Sequence, residues 1–452
     1  MKFTENGKKI ISVLSAAGYK AYFVGGCVRD FFMRRPFNDI DIASSSTPIE
    51  TETALSAAGI RCIETGIKHG TVTAIINGES FEITTFRSDG EYKDNRHPEN
   101  VSFVTDVKTD LARRDFTVNA MAYNENDGLV DVFGGIDDIN NKIIRCVGNP
   151  DKRFNEDALR IIRALRFSSV LGFEIEENTQ KSIFKNKDLL KNIAAERIFV
   201  ELKKLLCGDN AESVLLKYKE VIAVVVPELA PCFDFAQNTK WHLYDVYTHI
   251  VKSVGFSPKT DYMRLTLLLH DIGKPYCLKV DDRGVDHFKG HQEKGAVLAE
   301  RALRRLKCDN ATLKKVVTLI SVHDEKIYLD SKSIKYWLRR LGDSATLDFL
   351  DVKIADMESH NLEFAGHEVE ELERIKQKTI EIINSGDPYR ISDLKIRGND
   401  LISVGISGKS ISDVLNYLVE KVSDDKSLND KNTLLKMAKE FDAQKVIKIT
   451  NN

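Results

Sequence analysis

The sequence predicts a mixed α/β head over residues 1–145 followed by helical segments to the end of the chain. Two observations carry this reading. Short runs rich in β-branched and aromatic residues, bounded by Gly, Asn or Ser, are confined to the first part of the chain: YFVGG, NDIDIAS, GTVTAIING and SFEITTF. Beyond them the apolar spacing becomes helical, as in RFNEDALRIIRALRF and AAERIFVELKKLL, which define a neck over residues 146–235. Residues 236–365 are again helical but rich in histidine, with six of the ten histidines falling between His242 and His323. The tail, residues 366–452, has glycine-punctuated helical character (GNDLISVGISGKSISDVLNYLVEKV) and no recognisable chemistry. No internal repeat or low-complexity segment is present.

Composition narrows the functional classes. At 42% hydrophobic and 30% charged residues, the 452-residue chain is neither disordered nor collagen-like. No apolar run approaches the roughly 20 residues that cross a bilayer. The longest tight run, Val221 to Val226, is a core segment stopped by Pro227. The polar N-terminus (MKFTENGKKI) argues against a secretion signal, and seven scattered cysteines suit a reducing cytosol, so a cytoplasmic location is expected. With a net charge of −2, any nucleic-acid surface must be local.

The first chemical site lies at residues 22–41. YFVGGCVRD reads as a strand, a two-glycine turn and a helix, where Gly25 and Gly26 let the backbone approach a phosphate and the helix start offers free N–H groups. In NDIDIAS, Asp39 and Asp41 are two apart in a strand, so both carboxylates project from one face, about 6.5–7 Å apart at Cα, with Ile40 and Ile42 on the other. Two acids on one face repel and call for a cation, for which Mg²⁺ is the natural partner of oxygen ligands.

GG-x-VRD followed by D-x-D resembles the nucleotidyltransferase superfamily related in fold to DNA polymerase β. Within it, the chain is similar to class II tRNA nucleotidyltransferases (CCA-adding enzymes) and bacterial poly(A) polymerases. The resemblance implies an α/β nucleotidyltransferase head followed by all-α neck, HD and tail domains. It implies that Asp39 and Asp41 hold two Mg²⁺ ions, one lowering the pKa of the RNA 3′-hydroxyl and the other clamping the triphosphate. Gly26 and Arg29 would contact the triphosphate, and Glu82 in SFEITTF is the candidate third carboxylate.

The second site comprises residues 113–119 and 156–166. RRDFTVNA (Arg113 to Ala120) resembles the family motif that contacts ribose and phosphates, with Arg114 as its firmest correspondence. In NEDALRIIRALRF a single helix would gather Phe154, Ala158, Leu159, Ile161, Ile162 and Leu165 on one arc. Asp157, Arg160, Arg163 and Arg166 would occupy the opposite arc. A solvated face with ion pairs is the ordinary reading of such a pattern. The alternative is base recognition. An ionised Asp only accepts and an Arg only donates, which suits the Watson–Crick edges of C and A and mismatches G and U. Each wrong pairing costs about 1–3 kcal/mol.

This segment resembles the family's base-selecting motif E-D-x-x-R, here Glu156, Asp157 and Arg160, which implies that protein side chains choose CTP and then ATP without a nucleic-acid template. Arg163 and Arg166 would support the triphosphate or base edge. Glu196 and Arg197 resemble a later motif that acts as a brace, and DVFGGIDDI (Asp131 to Ile139) resembles a glycine-containing hinge. ETGIKHGTVTAII lacks the basic stretch of the poly(A) branch, and RSDGEYKDNRHPENVSF resembles the loop that CC-only enzymes lack. Full CCA addition is therefore expected over poly(A) synthesis, with tRNA, CTP and ATP as partners, no membrane, and tRNA contacts from neck and tail.

The histidine-rich region carries a further pattern. LLLHDIGKP sets His270 and Asp271 together, with His249 upstream and His291, His323 and Asp356 downstream, a set suited to one or two metal ions. The order H…HD…D resembles the HD phosphohydrolases, with His249, His270, Asp271 and Asp356 as core ligands and His291 and His323 extending the site to a second divalent metal. Activity on nucleotide or RNA ends is implied. The rivals to this reading are a phosphohydrolase whose head merely binds nucleotides, and a non-catalytic RNA-binding protein.

Overall fold

The computed structural model describes residues 3–37, 39–66, 70–90 and 101–450. The chain divides into two compact units, Met1–Ala230 with Ala302–Cys308, and Pro231–Arg301 with Asp309–Asn452. Residues 91–100, most of the loop expected to matter for terminal A addition, lie outside the described residues, as do Ile67 to His69 of ETGIKHGTVTAII.

The first unit begins with α1 (Glu5–Ala16), β1 (Ala21–Val24), α2 (Gly26–Phe32), β2 (Asp41–Ser44), α3 (Pro48–Ala57), β3 (Arg61–Gly66), β4 (Thr71–Ile76) and β5 (Glu79–Thr85). An antiparallel pair, β6 (Arg87–Asp89) and β7 (Val101–Phe103), precedes α4 (Val107–Ala112), β8 (Met121–Asn124) and β9 (Gly128–Asp131). Seven strands form one mixed sheet in the order β3-β4-β5-β2-β1-β8-β9, in which β2 and β5 run parallel. Strand alternation sorts the side chains. Phe23, Ile42, Phe81 and Ile83 pack with Ile10 and Leu14 of α1 and Leu55 of α3, while Tyr22, Val24 and Ala43 pack with Leu111 of α4. Asp41, two residues from Ala43, belongs to the latter face, and its register partner across the parallel ladder is Glu82.

The expected strand through both aspartates is shorter than the sequence suggests. β2 starts at Asp41, paired with Val24, and Asp39 precedes it. The reason lies in the partner strand. β1 ends at Val24, where Gly25 turns the chain away, so no antiparallel neighbour remains for residues before Asp41. The exposed–buried alternation of Asp39, Ile40, Asp41 and Ile42 is nevertheless as expected.

After α5 (Gly135–Asn141) and β10 (Ile143–Ile144), the neck consists of α6 (Pro150–Glu156), α7 (Leu159–Leu171), β11 (Glu174–Ile175), α8 (Glu177–Asn186), α9 (Ala195–Leu206), α10 (Ala211–Lys217) and α11 (Lys219–Val225). The expected single helix through NEDALRIIRALRF is in fact two. Asp157 takes an extended conformation (φ −140°, ψ 102°) and its Oδ1 accepts the Leu159 N–H at 3.1 Å, so the side chain ends α6 and starts α7. The apolar arc survives the break, with Phe154, Ala158, Ile161, Ile162 and Leu165 fully buried. The arginine arc is not a solvated face. Arg160 is buried, and Arg163 is paired to Asp115 just after α4.

The second unit carries α12 (Val246–Phe256), α13 (Asp261–Leu269), the start of α14 (His291–Arg305), α15 (Asn310–Val322), α16 (Ser331–Leu341), α17 (Asp343–Glu358) and α18 (Leu362–Ser385). Towards the end of the chain a separate small core forms around Leu394, Leu401, Leu418 and Leu434.

Candidate active site and metal centre

In the first unit, acids at the start of the central strand β2 and arginines from head and neck surround a cavity of about 540 Å³. Its wall includes Gly25, Gly26, Arg29, Asp39, Asp41, Arg114, Arg163 and Arg166, all singled out in the sequence, whereas the candidate third carboxylate, Glu82, is not on it. The turn between β1 and α2 explains the two glycines. Gly25 has φ +73°, and a Cβ there would lie 3.0 Å from Arg114 Nη1, so a side chain would be both strained and in the way.

Each arginine is aimed by a buried acceptor. Asp110 Oδ2 holds Arg114 Nη2 at 3.2 Å, and Asp110 Oδ1 takes Arg113 Nε and Nη2 at 2.9 and 2.7 Å. Burial works to raise the Asp110 pKa, but Arg114 and Arg113 outweigh it and hold the carboxyl below the usual range. A continuous chain links α2 to α7. Arg29 Nη1 donates to Asn119 Oδ1 at 2.6 Å, Asn119 Nδ2 donates to Asp115 Oδ1 at 3.2 Å, and Arg163 Nε and Nη2 donate to Asp115 Oδ2 at 2.9 and 2.6 Å. Glu201 on α9 lies 3.1 Å from Arg166 and 3.6 Å from Arg163. The cavity thus sits where guanidinium groups gather beside two carboxylates, which is the charge pattern for a polyanion that arrives with cations.

The aspartates fit a divalent ion. Partial desolvation in the cavity raises the Asp41 pKa, and Glu82 and Asp39 raise it further against the opposing pull of Arg114. A cation would relieve that repulsion. Glu82 is beside Asp41 in register, yet among the described residues the groups of three or more donors converging within 4.8 Å all lie in the second unit.

Asp157 and Arg160 are not on the cavity wall. Arg160 Nη2 donates to the Arg113 carbonyl at 2.8 Å, and Nη1 to Glu156 Oε2 at 3.0 Å and to the Arg153 carbonyl at 3.3 Å. Asp157 Oδ2 accepts from Arg197 Nη2 at 3.1 Å. The expected base-reading pair is therefore engaged with its own surroundings. Sequence reasoning missed Asp110, Asp30, Phe167 and Glu201 as supporting groups. Asp30 alone had an available signal, as the last residue of the quoted GG-x-VRD motif.

The second unit holds a denser cluster. His249 comes from α12, His270 and Asp271 from the end of α13, His291 from the first residue of α14, His323 from the end of α15 and Asp356 from the last turn of α17. His249 Nε2 is 2.9 Å from Asp356 Oδ1 and 3.2 Å from Asp271 Oδ2, and His270 Nε2 is 3.3 Å from Asp271 Oδ2. Asp271 Oδ1 lies 3.3 Å from His291 Nε2 and 3.7 Å from His323 Nε2. Asp271 therefore stands between two ligand groups, His249–His270–Asp356 on one side and His291–His323 on the other.

The tautomers follow from the second nitrogen. Nδ1 of His270, His291 and His323 each lies 2.8–2.9 Å from the carbonyl three residues back, and a carbonyl can only accept. Ser359 Oγ donates to the Asp356 carbonyl and so accepts from His249 Nδ1 at 2.8 Å. In their neutral forms all four imidazoles would therefore offer an Nε2 lone pair inward, to a proton or a metal ion. His291 Nε2 and His323 Nε2 face each other at 3.1 Å, and the Nε2 atoms of His249 and His270 are buried with no hydrogen-bond partner. Burial works to lower the His270 pKa, yet Asp271 and Asp356 push it up to about 10. Such converging acceptors demand positive charge, and one or two divalent metal ions fit that demand.

Comparison with known proteins agrees with the fold. The Poly A polymerase head domain model matches residues 21–145, the model described as probable RNA and SrmB-binding site of polymerase A matches 172–233, and the tRNA nucleotidyltransferase domain 2 model matches 293–438. The chain is 33% identical to the CCA-adding enzyme of Ligilactobacillus salivarius over 97% of its length and 96% of that enzyme. It is also 33% identical to the CCA-adding enzyme of Bacillus velezensis, covering 94% and 95%. The crystal structure of the Bacillus stearothermophilus CCA-adding enzyme in complex with CTP superposes with a TM-score of 0.73 at 27% identity, over 98% of both chains.

Proposed function

The chain belongs to the CCA-adding enzymes, a family of nucleotidyltransferases, and from that premise we propose that it extends tRNA 3′ ends with C, C and A from CTP and ATP. One observation carries the reading: Asp39 and Asp41 share a cavity with Arg29, Arg114, Arg163 and Arg166, so acids that suit divalent ions face bases that suit a triphosphate. The arginines bind and orient the triphosphate with its α-phosphorus towards the aspartates, and the 3′-oxygen of tRNA attacks that phosphorus. The new bond is O3′–Pα, the broken bond is Pα–O–Pβ, and pyrophosphate leaves while the hydroxyl proton passes to solvent. Asp39 and Asp41, with Glu82 alongside, would hold Mg²⁺, which would supply positive charge to lower the hydroxyl pKa and to screen the departing pyrophosphate.

Base choice rests with Asp157 and Arg160. Asp157 accepts from the exocyclic amino group of C or A and Arg160 donates to the ring acceptor beside it. Because Arg160 rests on Glu156 and two carbonyls, it must exchange at least one of these bonds as the base enters, which couples selection to movement at the α6–α7 junction. The test is incubation of the protein with tRNA ending at the discriminator base, Mg²⁺ and single labelled nucleotides. Addition of C, C and A followed by arrest is expected. A long A tail, or incorporation of U or G, overturns the assignment.

The second unit acts as a phosphohydrolase of the HD type, with His249, His270, Asp271 and Asp356 at one metal position and Asp271, His291 and His323 at the other. These residues would hold divalent metal, which would supply Lewis acidity for hydrolysis of a phosphate ester. The support is the inward convergence of Nε2 lone pairs on Asp271. In an Asp39→Asn, Asp41→Asn background that removes the head's own metal ligands, Asp271→Asn, which keeps the volume and removes the shared charge, is expected to take the metal content from two ions per chain to none, and His323→Ala to leave one. Losing a shared carboxylate should cost more than the roughly 10–100-fold that an outer partner costs. Elemental analysis after dialysis against Mn²⁺ is the measurement, and an Asp271→Asn protein still holding two ions contradicts the assignment.

A further inference from the structure

Three of the four cavity arginines meet at a single aromatic ring that no sequence signal marks. The guanidinium carbon of Arg166 lies 4.0 Å from the centroid of Phe167, that of Arg29 5.2 Å and that of Arg163 5.4 Å. Arg29 comes from α2 in the head, Arg163 and Arg166 from α7 in the neck, and Phe116 backs the ring edge-on at 5.7 Å between centroids. The ring is 5% exposed and still forms part of the cavity wall.

The arrangement has an electrostatic problem to solve. Three like charges within one small cluster repel, and burial deprives them of water. Arg163 is answered by Asp115 and Glu201, and Arg29 by Asp30 and Asn119. Arg166 bonds Glu201 through Nη1 alone, with Asp115 acting on it at longer range. Burial lowers the Arg166 pKa to about 10, with Arg163 and Arg29 adding to that against Glu201 and Asp115. Arg166 is thus the group with most to gain from an incoming phosphate, and the closest to the ring.

We propose that Phe167 is a positioning residue for nucleotide binding, whose ring face holds the guanidinium groups of Arg29, Arg163 and Arg166 together with their donors turned to the triphosphate. The negative face of the ring attracts each cation without using up an N–H donor, as a further carboxylate would. It also adds no negative charge to that already supplied by Asp30, Asp115 and Glu201. A base cannot stack on the face that Arg166 covers at 4.0 Å, which separates this role from base recognition. The proposal rests on the reading of this cavity as the triphosphate seat.

The test replaces Phe167 by phenylalanines carrying one, two and three ring fluorines, which drain the ring face while barely changing its shape. Equilibrium dissociation constants are measured for CTP and for inorganic tripolyphosphate. A stepwise weakening reaching about tenfold, parallel for both ligands, is expected. A flat series overturns the proposal, because packing alone would not respond to fluorination. Phe167→Leu should weaken binding at least as much as the trifluoro residue and Phe167→Tyr should restore it; a tyrosine variant as weak as leucine also overturns it. If the unmodified protein binds neither ligand, the triphosphate seat itself is wrong, and the fluorine series is not what decided it.

Discussion

Asp41→Asn should lower the rate of single-nucleotide addition by at least about a thousandfold, roughly 4 kcal/mol of barrier, while the protein melts at a higher temperature than the parent at neutral pH. The two effects come from one cause. Asp41 is partly desolvated in the cavity, and Glu82 and Asp39 press its pKa upward while Arg114 pulls it down only in part. A carboxyl whose folded pKa is raised is easiest to accommodate when protonated, so its favourable contribution to stability is present at low pH and is lost as pH rises through that pKa. At neutral pH the ionised group is a cost, carried because the chemistry needs a charged ligand for a divalent ion. Asparagine removes the repulsion and the ligand together. The stability advantage of the variant should shrink on acidification, as the parent Asp41 takes up its proton. Quench-flow with a tRNA lacking its last nucleotide and a thermal melt at two pH values check both halves. Retention of more than about a tenth of the parental rate would show that the carboxylate is not needed.

What could be read from the chain divides along a physical line. Signals that are local in sequence were visible: the strand–turn–helix of YFVGGCVRD, the apolar arc of the neck, and the order of histidines and aspartates in the second unit. Even the inward orientation of three imidazoles is local, since each ring N–H reaches a carbonyl only three residues back. Signals that depend on distant pairing were not visible. Asp115 meets Arg163 across 48 residues and Glu201 meets Arg166 across 35, and neither separation has a period to betray it. The helix break at Asp157 escaped for a similar reason. The apolar spacing runs straight through it, and only the Asp157 side chain, bonding to Leu159 and Arg197, reveals that the backbone has turned. Phe167 looked like one more apolar residue in RALRF because its partners come from two different elements.

Arg163→Met should destabilise the protein by about 3–5 kcal/mol, because it leaves a buried carboxylate without its nearest cation. Asp115 is 8% exposed, and although burial favours its neutral form, Arg163 first and Arg160 next hold its pKa down to about 2. A depressed carboxyl pKa contributes stability that is present above the unfolded value of about 4 and lost as pH falls towards 2. In the parent, then, Asp115 is indifferent to pH between 7 and 4.5. Without Arg163 the burial effect prevails, the folded pKa rises above the unfolded one, and the sign reverses: the variant gains stability as Asp115 is protonated on the way down from pH 7. The stability gap between parent and variant, from urea unfolding at pH 7 and pH 4.5, should therefore narrow on acidification. Asp115→Asn in the Arg163→Met background should recover part of the loss at pH 7, since it removes the stranded charge. A gap of constant size across that range, with no recovery in the double variant, would mean that Asp115 finds another cation or water once Arg163 is gone, and that the chain from α2 through Asn119 and Asp115 to α7 does not depend on this pair.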